Sequence, residues 1–430
     1  LNNILLALVK DKILIFCCKP MNSIFKYLCG VFIIFLFASC KDNDSTSSPS
    51  DGQSRTVLVY MVADNSLADF VSDDLTEMTN GMKQVDTSLH NLLVYVDDKS
   101  TPVLYRLAKD KKGNVTKVVV KTYNEQDSTN PVVMEDIVNT AFNKYPADTY
   151  GLVYWSHGEG WLPAPQATRS ITTRWIGQDT NDGNGKTHYM DISELASVLS
   201  ATHHLDFLLF DACFMLSVEV AYDLREYTDY VMGSPTEIPG PGASYDYLVP
   251  AMLHIGQAQT ADNNAIQIAK AYYEPYGKKY DLSLNNSNDN WTAGASMGAL
   301  KTSELDHLAS ATKSVLPASI DNASLTGTVF DYDRRFGSSS FVGYYDMVQL
   351  IQNITDSSSF SMWKAAFDKA LIYWNTTATN YTAPGGGINF SMKGTYGVSH
   401  YIPLASNTNA NSAYRKCAWY KAAGWDIIGW

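Results

Sequence analysis

The order of apolar segments predicts an α/β protein, a three-layer α/β/α sandwich around a mainly parallel sheet with an α+β elaboration towards the C-terminus. Three observations predict it. Short apolar, β-rich runs alternate with segments of helical spacing. Two of the runs, residues 150–155 and 205–212, are apolar almost throughout, as strands buried on both faces are. Each leads into a residue able to do chemistry, His157 and Cys213, at the carboxyl edge where open α/β sheets bind ligands. The chain of 430 residues is 45% hydrophobic and 18% charged, enough for a large core and one or two domains. Its net charge of -12 and the absence of a lysine- or arginine-rich run exclude nucleic acid as a partner.

The N-terminus reads as a targeting device. From Met21, Lys26 supplies a positive charge before an apolar stretch at 27–38 (YLCGVFIIFLFA). Its 12 residues fall short of the roughly 20 a spanning helix needs and have the length of a signal-peptide core. Small residues then precede Cys40, similar to a bacterial lipobox in which that cysteine carries the lipid anchor. Lys41-Asp42-Asn43-Asp44 resembles the surface-export signal of Bacteroidetes lipoproteins, so an outer-membrane, cell-surface location is expected. Residues 1–40 are thus a signal region, 1–20 of it an over-extended start, and 41–54 a flexible tether. Cys17, Cys18 and Cys29 leave with the leader and Cys40 carries lipid, so Cys213 and Cys417 remain; one disulfide between them would consume the Cys213 thiol, and so few cysteines do not make a disulfide scaffold.

Residues 56–63 (TVLVYMVA) and 91–97 (NLLVYVD) read as strands, with an amphipathic helix at 67–83 between them. Residues 103–107 and 115–123 form a hairpin about a polar turn containing Gly113. A second helix, 132–145, precedes the His157 strand. A third, 191–200, opens with Asp191 and carries Glu194 three residues later, the pattern of a capping box. After the Cys213 strand come a helix at 216–227 and a strand at 230–234. Residues 162–188 lack periodicity over 27 positions, and loops that long are functional or disordered. Beyond 256, helices are expected at 261–273, 303–316, 344–354 and 360–374, strands at 291–300 and 396–403, and polar loops at 285–290 and 407–412.

The chemistry follows from the two strand ends. A free thiol has a pKa near 8.5 and is mostly protonated at neutral pH, so Cys213 needs activation. The N-terminus of the helix expected just after it, and an imidazole nearby, both favour the thiolate. His157 can take the thiol proton as general base and return it to a leaving amine as general acid. Gly158 allows close approach of the backbone, and its N–H with that of Cys213 can form an oxyanion hole. Gly160 keeps the turn free of bulk.

The segment Tyr154-Trp155-Ser156-His157-Gly158-Glu159-Gly160-Trp161 resembles the histidine motif of clostripain-like cysteine peptidases. Phe210-Asp211-Ala212-Cys213-Phe214-Met215-Leu216-Ser217 resembles their cysteine motif, and the spacing of 56 residues fits as well. The resemblance, strong over 55–255, implies a caspase-like fold shared with gingipains and legumains, a catalytic core at 55–255 and a C-terminal part, 256–430, packed on it. It implies a Cys/His dyad of Cys213 and His157 acting on protein or peptide substrates, with Asp211 lining the pocket for the P1 side chain. Family members often prefer arginine or lysine at P1, often need calcium, and often cleave themselves between the catalytic strands; Arg169, Arg174 and Lys186 are the candidate points. The chain departs from the pattern at Ser156, where aspartate is common, at Pro235, and at Pro241, which can be acidic in enzymes taking basic residues. A basic P1 side chain would then rely on Asp211 with Glu237 or Asp246.

No cofactor is required for this chemistry. Asp179, Asn181, Asp182 and Asn184 gather oxygen donors, but the spacing fails the EF-hand template, and a solvated turn explains Asp179 and Asp182 better than calcium does. His188, His203 and His204 lack a second ligand cluster for zinc. Two other readings stay open: a non-catalytic peptide- or glycan-binding lipoprotein on a peptidase fold, and a metal hydrolase.

Overall fold

Arg55–Val62 (β1) is buried along its whole length, and the alternating faces of its pleat feed two different cores. Leu58, Tyr60 and Val62 pack on one side of the sheet, Val57, Val59 and Met61 on the other. The neighbouring strands repeat this pattern, which is why they are apolar throughout rather than alternating.

The computed structural model describes residues 4–9, 12–17, 53–161, 175–254, 260–279, 294–335, 342–382 and 388–430. Ile4–Val9 and Lys12–Cys17 pair as an antiparallel hairpin. The apolar stretch 27–38, Cys40 and nearly all of the tether lie outside the described residues, as do Arg169 and Arg174. Among the described residues no helix is long and apolar enough to cross a membrane.

Among the described residues the main sheet has nine strands: β1, His90–Asp97 (β2), Val103–Lys109 (β3), Val115–Thr122 (β4), Thr149–Trp155 (β5), Phe207–Asp211 (β6), Tyr230–Gly233 (β7), Ser296–Lys301 (β8) and Leu371–Thr376 (β9). Their spatial order is β9-β8-β7-β6-β5-β1-β2-β3-β4. The run from β7 to β2 is parallel, and an antiparallel pair extends it at each end. β8 and β9, from beyond residue 256, therefore complete the sheet that carries His157 and Cys213.

Helices cover both faces. Val71–Met82 (α1), Tyr245–Leu253 (α5) and Ala261–Lys279 (α6) lie on the Val57 side. Pro131–Lys144 (α2), Ile192–Ser200 (α3) and Val218–Leu224 (α4) lie on the Leu58 side. The α2 start is set by Asn130, whose side chain accepts the Val132 N–H, and by Pro131, whose fixed φ suits the first turn. The capping box at α3 forms, Glu194 accepting the Asp191 N–H at 2.8 Å.

The C-terminal third differs from the sequence reading in several places. The helix expected to 374 ends at Ala370, and Leu371–Thr376 turns into β9. Apolar residues continue at helical intervals across that boundary (Phe367, Leu371, Trp374), but the backbone instead satisfies the open edge of β8. The polar stretch 407–412 is mostly helix, Thr408–Tyr414, held by burial of Ala410, Ala413 and Tyr414. Only Ser399–His400 of the strand expected at 396–403 pairs. Part of the stretch 162–188 is a strand, Ile176–Asp179, which pairs with His188–Met190 as a short hairpin that runs past the expected end of the loop. The polar loop expected at 285–290 lies outside the described residues.

Candidate active site

β5 and β6 run parallel with Trp155 opposite Asp211 as their last paired residues. His157 and Cys213 each follow two positions later, so the register itself delivers them side by side at the carboxyl edge. Adjacent strands lie about 4.8 Å apart, and the turns leaving them stay in contact. A Cβ added to Gly158 would sit 2.9 Å from the Cys213 carbonyl oxygen and 2.9 Å from the Ala212 Cβ. Only glycine fits there.

His157, Gly158, Asp211, Cys213 and Glu237 all line one cavity of about 460 Å³, together with Arg335. Its walls include Leu67, Phe70, Trp175, Ile238 and Tyr381, so it is largely apolar with a few charged groups in its lining. The Gly158 turn is fixed by two bonds to the loop opposite, from Glu159 N–H to the Trp175 carbonyl (2.6 Å) and from Gly177 N–H to the His157 carbonyl (2.9 Å). That pattern leaves the Gly158 N–H outside the bridge. Gly160 has φ 79°, and a Cβ there would strike the Tyr344 hydroxyl.

Cys213 is half-buried. Its sulfur accepts the Ile238 N–H at 3.2 Å. Burial pushes the thiol up to about 12, with Glu237 adding to the rise and Ile238 N–H and Arg335 opposing it. Burial also lowers the His157 imidazole. Both directions favour a neutral thiol beside a neutral imidazole. His157 Nε2 is 2.8 Å from Ser66 Oγ, and among the described residues no hydrogen bond joins His157 to Cys213. The helix dipole expected to assist Cys213 is displaced: α4 starts at Val218, capped by Ser217, with a turn over residues 212–216 between. In that turn Phe214 adopts φ 60°, a left-handed conformation that among the described non-glycine residues occurs only here. Its N–H reaches the Thr236 carbonyl (3.0 Å), and its ring stacks on Tyr344 (4.9 Å between centroids).

Asp211 closes the floor. Its carboxylate accepts the Tyr272 hydroxyl (2.7 Å), the Tyr245 hydroxyl (2.9 Å) and the Ala243 N–H (3.1 Å). Burial raises its pKa against these donors. Behind it Asp74, buried on α1 and close to Asp211 and Glu77, is pushed up to about 9 by desolvation first and then by those two carboxylates. Asp246, in the first turn of α5, does not line the cavity. Ser156, standing where an aspartate was the expected pattern, donates to the Val62 carbonyl (2.7 Å) and accepts the Gln178 N–H (3.2 Å), tying β5 to β1 and to the hairpin beyond.

The calcium candidates have other partners. Asp179 accepts the Ser128 and Asn181 amides at 2.8 and 3.0 Å. Asp182 accepts the Asn184 and Lys186 amides and lies 3.0 Å from His188 Nε2. Among the described residues no group of three or more His, Cys, Asp or Glu is arranged to hold a metal ion. Lys186 is exposed in this turn.

Three contributors were not read from the sequence: Ser66, Arg335 and Glu159. Ser66 follows the end of β1, where the same strand-end logic that singled out His157 would have found it. Arg335 comes from a segment without periodicity, and nothing in its spacing signals the site.

The clostripain family model matches residues 59–430. Clostripain of Hathewaya histolytica is 27% identical over 259 residues, 54% of this chain; the chain spans about half (48%) of that curated relative's length. A secreted C11 cysteine protease of Bacteroides thetaiotaomicron, solved with an irreversible peptide inhibitor, superposes with a TM-score of 0.77 at 44% identity, over 87% of this chain and 99% of that one. An inactive zymogen C11 protease of Parabacteroides distasonis gives 0.71 at 28% identity, over 86% and 98%.

Proposed function

The chain belongs to the clostripain family, and from that premise we propose that it is a cysteine endopeptidase whose dyad is Cys213 and His157. The observation that carries the reading is the shared register of β5 and β6, which supports a thiol and an imidazole opening into one cavity. With Nε2 held by Ser66, Nδ1 is the nitrogen left to take the thiol proton as a peptide arrives. The sulfur then attacks the scissile carbonyl, and the Gly158 and Cys213 N–H groups receive the oxyanion. The imidazolium gives its proton to the leaving amine, and water, deprotonated by the same imidazole, releases the acid from the thioester.

The same cavity favours a basic P1 residue. Asp211 accepts from two hydroxyls and one amide, the environment of a carboxylate, and lysine or arginine would bring the counter-charge a buried anion needs. Glu237 adds a second acidic group at the wall, while Pro241 contributes none.

Profiling wild type beside Cys213→Ala on a peptide library, with and without calcium, tests the reading. Loss of both hydrolysis and acyloxymethyl-ketone labelling in the variant is expected, with cleavage after lysine or arginine in wild type. A Cys213→Ala protein that also stays in one piece while wild type is cut between residues 162 and 188 would support self-cleavage, with Lys186 the described candidate. Retained hydrolysis would end the dyad assignment. Cys40 is proposed as the lipid-bearing residue: Cys40→Ala should move the protein from the membrane fraction to the soluble one, and unchanged fractionation would refute the anchor.

A further inference from the structure

Arg335 occupies a position that the dyad mechanism leaves unexplained. Its side chain is 3% exposed, yet it lines the same cavity as the sulfur. One guanidinium nitrogen, Nη1, donates to both Glu159 carboxylate oxygens at 2.6 and 2.8 Å. The other edge holds Asp333, through Nε at 2.8 Å and Nη2 at 3.2 Å. The plane lies over the Phe214 ring, 4.6 Å from its centroid. Glu159 is two residues past His157, and Phe214 is the residue after Cys213.

We propose that Arg335 is a positioning residue for the dyad: it ties the turn leaving His157 to the turn leaving Cys213 and supplies the positive charge that faces the thiol. The inference rests on the cysteine-peptidase reading of the site. Two strained or crowded turns meet here, the left-handed Phe214 and the Gly158–Cys213 contact. A planar cation suits the task because it can pair with carboxylates at its edges while its face stacks on an aromatic ring. Tyr344 reinforces the clamp from below, stacking on Phe214 and donating its hydroxyl to the Glu159 carbonyl.

The charges around the sulfur make this separable from simple scaffolding. Glu159 and Glu237 disfavour the thiolate, Arg335 favours it, and the His157 imidazole is lowered by burial. Glu159→Gln and Arg335→Gln break the same ion pair, so a purely structural role predicts that both change Cys213 reactivity in the same direction. The proposed role predicts opposite signs.

The experiment is iodoacetamide alkylation of Cys213 in the full-length protein at pH 8, with Cys213→Ala as the blank. Glu159→Gln should react faster than wild type and Arg335→Gln slower, each by roughly threefold, the change expected for half a pKa unit. Arg335→Lys, which keeps the charge but loses the fork, should fall between Arg335→Gln and wild type. Equal directions for the two glutamine variants, or no change in either, would overturn the proposal. Should Arg335→Gln not fold, Arg335→Ala and Arg335→Lys are read beside Glu159→Gln: a direction opposite to that of Glu159→Gln supports the role, and the same direction or no change refutes it. Peptide hydrolysis by the wild type is read in parallel and tests the peptidase reading independently.

Discussion

At the scale of single residues, the protonation state of the proposed Cys213–His157 dyad is the feature with the sharpest consequences. A preformed thiolate–imidazolium pair needs a depressed thiol and a raised imidazole, whereas burial drives Cys213 up and His157 down. In the proposed mechanism the proton therefore starts on sulfur, and His157 must be neutral to remove it. A histidine lowered from 6.5 is neutral at and above that pH, so the acid limb of kcat/KM should lie below 6.5. The thiol at about 12 sets no limit near neutrality, so the rate should stay level from pH 7 to 9. A limb that falls near pH 8 would mean imidazolium is the active form, contradicting the neutral pair; activity restored on return to pH 7 separates that from unfolding.

At the scale of elements, the parallel strands and their helices were legible because one rule governs each. β1, β2, β5 and β6 are buried on both faces, and nothing but an apolar run can fill such positions. α3 was legible from its cap as well as its period. The same reading gave His157, Cys213 and Asp211 a common edge, because strand ends are set by local sequence and the register follows from packing. What escaped was decided by distant partners. α5 carries Pro250 in its second half, a residue that argues against helix, yet Tyr245, Leu248, Val249, Met252 and Leu253 are buried and hold it. β9 exists because β8 offers an unpaired edge. Ser66 reaches His157 from 91 residues before it and Arg335 reaches the cavity from 178 residues after it, and no periodicity encodes either encounter.

At the scale of the whole molecule, segments far apart in sequence hold both ends of the parallel strands, the amino edge at Arg55 and the carboxyl edge beyond Cys213. Arg55, the first residue of β1, bonds Asp206 (2.5 Å), the Met252 carbonyl (3.0 Å) and Asn264 (2.7 Å). Leu216, in the turn after Cys213, gives its carbonyl to the Ser399 N–H (3.1 Å), and Glu219 accepts the Tyr401 N–H (2.9 Å). This packing buries carboxyl groups that hold their protons unusually well. Asp74 and Asp97 are pushed up to about 9, and Glu219 and Asp331 to about 7, in each case by desolvation first. In the unfolded chain all four titrate near 4, so between pH 4 and 9 the native state binds protons the unfolded state lacks. Stability from these groups is complete below pH 4 and is lost as pH rises through the folded values. Below 6.5 the lowered histidines, His157 and His400 among them, act in the opposite sense, since protonating them favours unfolding. From pH 7 to 9 they are neutral in both states, and Asp74 and Asp97 dominate. Each proton held only by the native state costs about 1.4 kcal/mol of stability per pH unit at the limit. The melting temperature should therefore fall steadily from pH 7 to 9, and Asp97→Asn, which keeps the neutral form, should flatten that fall. A melting temperature that rises over this interval would show that the buried carboxyls are ionised in the native protein.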